Sequence, residues 1–276
     1  MKRVLTALIL IPVVLALVFL PAPWHWLFVL AVAAVASLAA WEFVSLAEAA
    51  GANPPRIAVL VAIVALFIGC SLWPDQTVAV LGILVLALLL YCSFLRPVQQ
   101  VLGDSSTAIL GLLYIGFTLL AFPALHEAAN GSSLVTFLLC TVWAGDSVAL
   151  YVGKAWGRHK LAPTLSPGKS WEGAAGSMAG SLAAAGALLG ISLALENWNI
   201  YKLTYPEDWW YWLGLAALIN VSAQAGDLVE SALKRSAGVK DSGSILPGHG
   251  GVLDRIDALL VAAPVLWYAH LLHTRF

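Results

Sequence analysis

An all-α, polytopic membrane protein is the fold class this sequence predicts, and three observations predict it. The 276 residues are 61% hydrophobic and only 11% charged, with a mean hydropathy of +0.89, so water cannot be the solvent for most of the surface. The apolar residues fall into about nine long continuous runs with no two-residue alternation, which predicts spanning helices rather than barrel strands. The few basic residues gather on one side of those runs. A net charge of -1 gives no bulk field for nucleic acid, so the placement of each charge carries the information.

A helix needs roughly 20 apolar residues to cross the ~30 Å hydrocarbon layer. The runs lie at residues 4–20, 24–41, 57–73, 76–95, 107–125, 133–152, 173–195, 209–226 and 252–272. Met1-Lys2-Arg3 ahead of the first run resembles the basic start of a signal peptide, but the run is long for one and more spans follow, so it is read as a span. Pro, Gly, Asn and charged residues punctuate the rest, as at Pro21 to Pro23, Gly51 to Pro55, Trp73 to Asp75 and Asn130 to Ser133. Cys70, Cys92 and Cys140 sit inside apolar runs without CxxC spacing and are read as packing residues. Gly176 and Gly180, in GxxxG spacing, permit close helix approach, either within the chain or to a second copy.

With the N-terminus inside, 12 of the 14 Lys and Arg residues fall on the cytoplasmic side, leaving only Lys202 and Arg275 outside. The positive-inside rule then fixes the orientation even if one boundary is misplaced. Residues 1–132 read as a scaffold of helices, with Glu42, Glu48, Asp104 and Glu127 as solvated charges in short connections. Residues 133–276 read as the catalytic region.

Two segments there concentrate the polar residues. If 226–235 is helical, Asp227, Glu230, Ser231 and Lys234 share one face at i, i+3, i+4 and i+7, and Asp254 and Asp257 project together from the start of the last span. Carboxylates at a membrane edge need a partner or a task, and this all-oxygen set suits a hard cation such as Mg2+ completed by substrate phosphate. Between the two helices lies a loop with Gly238, Gly243, Gly248, Gly250 and Gly251 plus Lys240, Asp241 and His249, suited to close approach of a phosphate. The second segment holds Asp146, then Lys154, Arg158 and Lys160, then Ser166-Pro167-Gly168-Lys169-Ser170-Trp171-Glu172. Gly168-Lys169-Ser170 is like the end of a P-loop, but Pro163 stands where its leading glycine belongs, so this is not a Walker A motif. Its basic residues serve either as topogenic anchors or as point charges for a polyphosphate.

The stretch from Ser231 to Asp257 resembles the signature of the CDP-diglyceride synthetases, the phosphatidate cytidylyltransferases. Lys234, Arg235, Lys240, Asp241, Gly243, Pro247, His249, Gly250, Gly251, Asp254, Arg255 and Asp257 fill its specified positions. Upstream, Asp146 to Gly173 is similar to that family's second pattern, with Leu150 in place of Ala and Ser170 in place of Thr.

The resemblance implies CMP transfer from CTP to phosphatidic acid, giving CDP-diacylglycerol and pyrophosphate. It also implies a requirement for Mg2+, K+ as a second ion, and a homodimer in the cell inner membrane. By analogy Asp227 and Asp254 would be the principal metal ligands with Asp257 nearby, and Lys234 and Lys240 would share the catalytic work. Asp146, Lys169, Ser170, Glu172, Ser231, Arg235, Asp241, His249, Gly250, Gly251 and Arg255 would line the substrates. A CTP-dependent lipid kinase and, more remotely, a transporter are the competing expectations. Charges confined to one face, with no inverted repeat, weigh against the transporter.

Overall fold

The computed structural model describes residues 11–245 and 250–275, and it is helical almost throughout. The helices are α1 (His25–Ala49), α2 (Arg56–Leu72), α3 (Thr77–Leu95), α4 (Val101–Gly111), α5 (Ala121–Glu127), α6 (Gly131–Trp156), α7 (Trp171–Asn197), α8 (Trp209–Ser236) and α9 (Leu253–Arg275). Residues 11–18 are also helical, and a π-helical stretch, Leu112–Phe117, continues α4. Seven of the described segments are long and apolar enough to cross a membrane, which makes the chain an all-α polytopic membrane protein.

Of the nine predicted runs, the one at 57–73 forms a 17-residue helix, short of a full crossing by the same measure. The run at 4–20 begins outside the described residues. The run at 209–226 is the start of a longer helix, since α8 continues to Ser236. That extension makes the condition set for residues 226–235 true. The sequence reading did not anticipate a two-stranded antiparallel hairpin, β1 (Lys160–Ala162) and β2 (Ser166–Ser170), with Lys160 opposite Ser170.

Two compact units interleave along the chain. One comprises Trp26–Leu120 with Leu233–Ile256; the other comprises Ile11–His25, Ala121–Ala232 and the segment from Asp257 onward. In the first, Ile63, Leu66, Phe67, Leu112 and Ile115 are almost fully buried. Asp104, expected as a solvated charge, is also buried: it accepts from the Asn53 backbone N–H at 2.8 Å and lies 3.8 Å from Arg96 Nε. Glu48, expected as a solvated charge in a connection, lies in the last turn of α1, half-exposed and paired at 2.6 Å with Arg56.

In the second unit α7 packs along α6. A Cβ on Gly176 would come within 2.8 Å of Val152, and one on Gly180 within 2.8 Å of Val148 and 2.9 Å of the Ala144 carbonyl oxygen. The GxxxG spacing is therefore used for close packing inside the chain. A buried polar ladder crosses the same helices. Ser181 Oγ donates to Thr141 O at 2.8 Å, and Asn220 Nδ2 donates to Ser177 Oγ at 2.8 Å and Ser181 Oγ at 2.9 Å. In an apolar surround such groups are stable only when paired, so the ladder fixes the register of α6, α7 and α8.

Candidate active site

In the second unit the polar residues are delivered by the hairpin, α6, α8 and the first turn of α9. Ser170 ends β2 and caps α7: its Oγ accepts from Gly173 N at 3.1 Å, and it is buried. Glu172, in the first turn of α7, accepts from His159 Nδ1 at 2.6 Å and from the backbone N–H groups of Arg158 and His159 at 3.2 Å. These two residues, expected to touch substrate, pin the segment entering the hairpin. Lys169, one residue before the cap, reaches Asp227 of α8, with Nζ 2.5 Å from Oδ2.

α8 and α9 cross backbone to backbone at this level. A Cβ on Gly226 would come within 2.6 Å of the Asp257 carbonyl oxygen, so the two helices set Asp227 and Asp257 side by side. Asp227, Glu230 and Asp146 all lie close enough to Asp257 to act electrostatically on its carboxylate. Four acidic side chains from α6, α8 and α9 thus share one neighbourhood, with Lys169 at its margin. Such a set repels itself unless cations sit within it.

In the first unit Asp254 is the hub. Lys234 Nζ donates to its Oδ1 at 2.6 Å, while Gly251 N at 2.8 Å and Ser242 N at 3.1 Å donate to its Oδ2. The Asp254 side chain is only 7% exposed. Gly250 has φ +82°, a backbone conformation that favours glycine, and its pro-Cβ direction points at Asp254 Oδ2, 2.8 Å away. Lys240, Asp241 and Arg255 are exposed, as is Arg235, whose guanidinium donates to Val239 O at 3.3 Å. Ser231 is buried, and His249 lies outside the described residues.

The residue that sequence reasoning missed is Glu42. It was expected to be a solvated connection charge, but it lies inside α1 at 2% exposure. Its Oε1 accepts from Val252 N at 3.0 Å, and its Oε2 accepts from Leu253 N at 2.8 Å and Ser242 Oγ at 3.1 Å. No local pattern could have found it, because its partners are about 200 residues away in sequence. The one available signal was a lone carboxylate near the end of an apolar run.

Among the described residues no three His, Cys, Asp or Glu side chains form a ready-made metal shell. Within each unit the donors are oxygens paired with an ammonium, Asp227 with Lys169 in one and Asp254 with Lys234 in the other. Carboxylate oxygens of this kind suit a hard divalent ion.

The fold is that of a multi-pass membrane protein whose two units each set carboxylates against a lysine. The sequence pattern of the Cytidylyltransferase family matches residues 1–273, and the chain belongs to that family. It is 34% identical to the phosphatidate cytidylyltransferase of Haemophilus influenzae, with 97% of each chain covered. It is 37% identical to that of Pseudomonas aeruginosa, again over 97% of each, and 41% identical to that of Bacillus subtilis over 58% of this chain and 55% of that one.

Proposed function

We propose that this chain is a phosphatidate cytidylyltransferase, making CDP-diacylglycerol and pyrophosphate from CTP and phosphatidic acid. The observation that carries the reading is similarity over 97% of both chains to enzymes of that name. The clustering of Asp146, Asp227, Glu230 and Asp257 supports it. An oxygen of the lipid phosphate forms a bond to the α-phosphorus of CTP. The bond from that phosphorus to the oxygen bridging to the β-phosphate breaks, and pyrophosphate carries away the electron pair. A phosphate monoester is already nucleophilic at neutral pH, so positioning and charge neutralisation matter more than a general base.

Lys169, Lys234, Arg235 and Lys240 are assigned to the negative charge of the triphosphate and of departing pyrophosphate. Lys169 and Lys234 are held by Asp227 and Asp254, which keeps two cationic side chains ordered. Asp227, Asp254 and Asp257 are the residues proposed to hold Mg2+, which when bound would offset phosphate charge. Asp146, Ser231, Asp241, His249, Gly250, Gly251 and Arg255 are assigned to substrate contacts, and Ser170 and Glu172 to shaping the wall that carries Lys169. The K+ ion and the homodimer implied by the resemblance belong to the same proposal. So does a bacterial inner membrane location with the N-terminus and the site on the cytoplasmic face, supported by the placement of 12 of 14 basic residues.

The test is incubation of purified protein with phosphatidic acid, Mg2+ and each nucleoside triphosphate in turn. CDP-diacylglycerol from CTP alone, lost on chelation of Mg2+ and restored by its return, is the expected result. A lipid product formed equally well in chelator contradicts the metal assignment.

A further inference from the structure

Two glycines of the glycine-rich segment face a carboxylate of α1. A Cβ on Gly243 would come within 2.5 Å of Glu42 Oε1, and one on Gly251 would collide with Glu42 Oε2 and Ser242 Oγ. Gly243 and Gly251 both close on the Glu42 carboxylate. Through Val252 N and Leu253 N, Glu42 also satisfies two of the free N–H groups at the start of α9, as a capping residue supplied by another helix.

From there the contacts run to the hub of the site. Ser242 donates from Oγ to Glu42 and from its backbone N to Asp254 Oδ2, and Gly251 N donates to the same oxygen. Burying a carboxylate is costly, and a serine on the loop itself could cap α9 at lower cost. What a carboxylate adds is two oxygens that bind two successive backbone N–H groups and a hydroxyl at once, which fixes Ser242 against the start of α9.

We propose that Glu42 is a positioning residue of the active site: it clamps Ser242 and Gly243 against Gly251, Val252 and Leu253, and so holds Asp254 in the orientation that cation and phosphate binding require. The proposal rests on the cytidylyltransferase reading for its catalytic consequence, whereas the clamp itself is a matter of backbone protection.

The test compares the intact purified chain with Glu42→Gln, Glu42→Asp and Ser242→Ala, and with Glu48→Gln as the control on the same helix. Hydrogen exchange of the segment spanning 250–256 is followed as Mg2+ is added with CTP, alongside kcat, KM for CTP and the Mg2+ concentration for half-maximal rate. In Glu42→Gln one oxygen becomes an NH2 that cannot accept. Exchange at Val252 and Leu253 should accelerate at least 10-fold, protection by Mg2+ and CTP should require several-fold more Mg2+, and kcat should fall at least 10-fold. Glu42→Asp should recover part of each loss, Ser242→Ala should shift each in the same direction by less, and Glu48→Gln should match wild type.

Unchanged exchange and Mg2+ dependence in Glu42→Gln would overturn the proposal. So would faster exchange spread over all helices with a lowered melting temperature, which would mark general packing. If the wild-type chain transfers no CMP, the functional reading fails, and the exchange comparison alone still decides the clamp.

Discussion

Asp254 and Asp227 are alike in their respective units: each is an acidic residue of a spanning helix paired with a lysine. Asp254 has in addition backbone donors on its second oxygen, from Ser242 and Gly251, which set its orientation. Asp254→Asn keeps the shape and removes the charge. It should lower CMP transfer by roughly 100-fold or more, the scale of losing one preorganised electrostatic group. Insertion and the melting temperature should stay close to wild type, and substantial activity at saturating Mg2+ would sink the assignment. Lys169→Met removes a cation from the phosphate side and frees Asp227. It should raise KM for CTP or lower kcat by at least ~10-fold, and unchanged steady-state kinetics would remove Lys169 from the substrate wall. At this scale the sequence was readable where spacing is short. The face shared by Asp227, Glu230, Ser231 and Lys234 follows from helical periodicity once α8 runs on to Ser236. Glu42 was not readable, because its role depends on backbone N–H groups about 200 positions later, and nothing in its neighbourhood encodes them.

Elements were legible in proportion to how strongly the bilayer dictates composition. A membrane-crossing helix must be apolar along its length, so each of the seven membrane-capable segments overlaps a predicted run, although Ala22–Ala49, Val101–Glu127 and Trp209–Ser236 extend well beyond theirs. α8 extends past its apolar run because its last turns carry Asp227 to Lys234, charges that hydropathy alone treats as an end. The β1–β2 hairpin was missed since Ser166-Pro167-Gly168-Lys169-Ser170 has the composition of a turn; antiparallel pairing with β1 orders it. This small element matters because it ends on the cap of α7 and carries Lys169. Removing the cap with Ser170→Ala should cost about 1 kcal/mol and loosen Lys169 as well, measurable as a lower melting temperature together with a higher KM for CTP. The α6–α7 contact leaves no room at Gly180. Gly180→Leu should therefore destabilise the protein by at least about 1–3 kcal/mol, read as loss of folded protein in detergent. A neutral outcome would mean that α7 does not lie against α6 as described.

The whole molecule joins a spanning helical body to two polar segments, and its basic residues report which side those segments face. The charge asymmetry predicts that the loop carrying Lys240 and the turn carrying Asn199 lie on opposite sides of the membrane. In a background with Cys70, Cys92 and Cys140 changed to alanine, a cysteine at position 240 should react with an impermeant thiol reagent only from the cytoplasmic side. One at 199 should react only from the other side, and labelling of both from one side would overturn the orientation. The central claim, transfer of CMP to a lipid phosphate, is tested most directly by the fate of label in CTP. With phosphatidic acid and Mg2+, CTP labelled at the α-phosphorus should pass its label into the lipid, while label at the γ-phosphorus should leave in pyrophosphate. Label from the γ-phosphorus in the lipid, with CDP released, would contradict the account and make the protein a CTP-dependent lipid kinase.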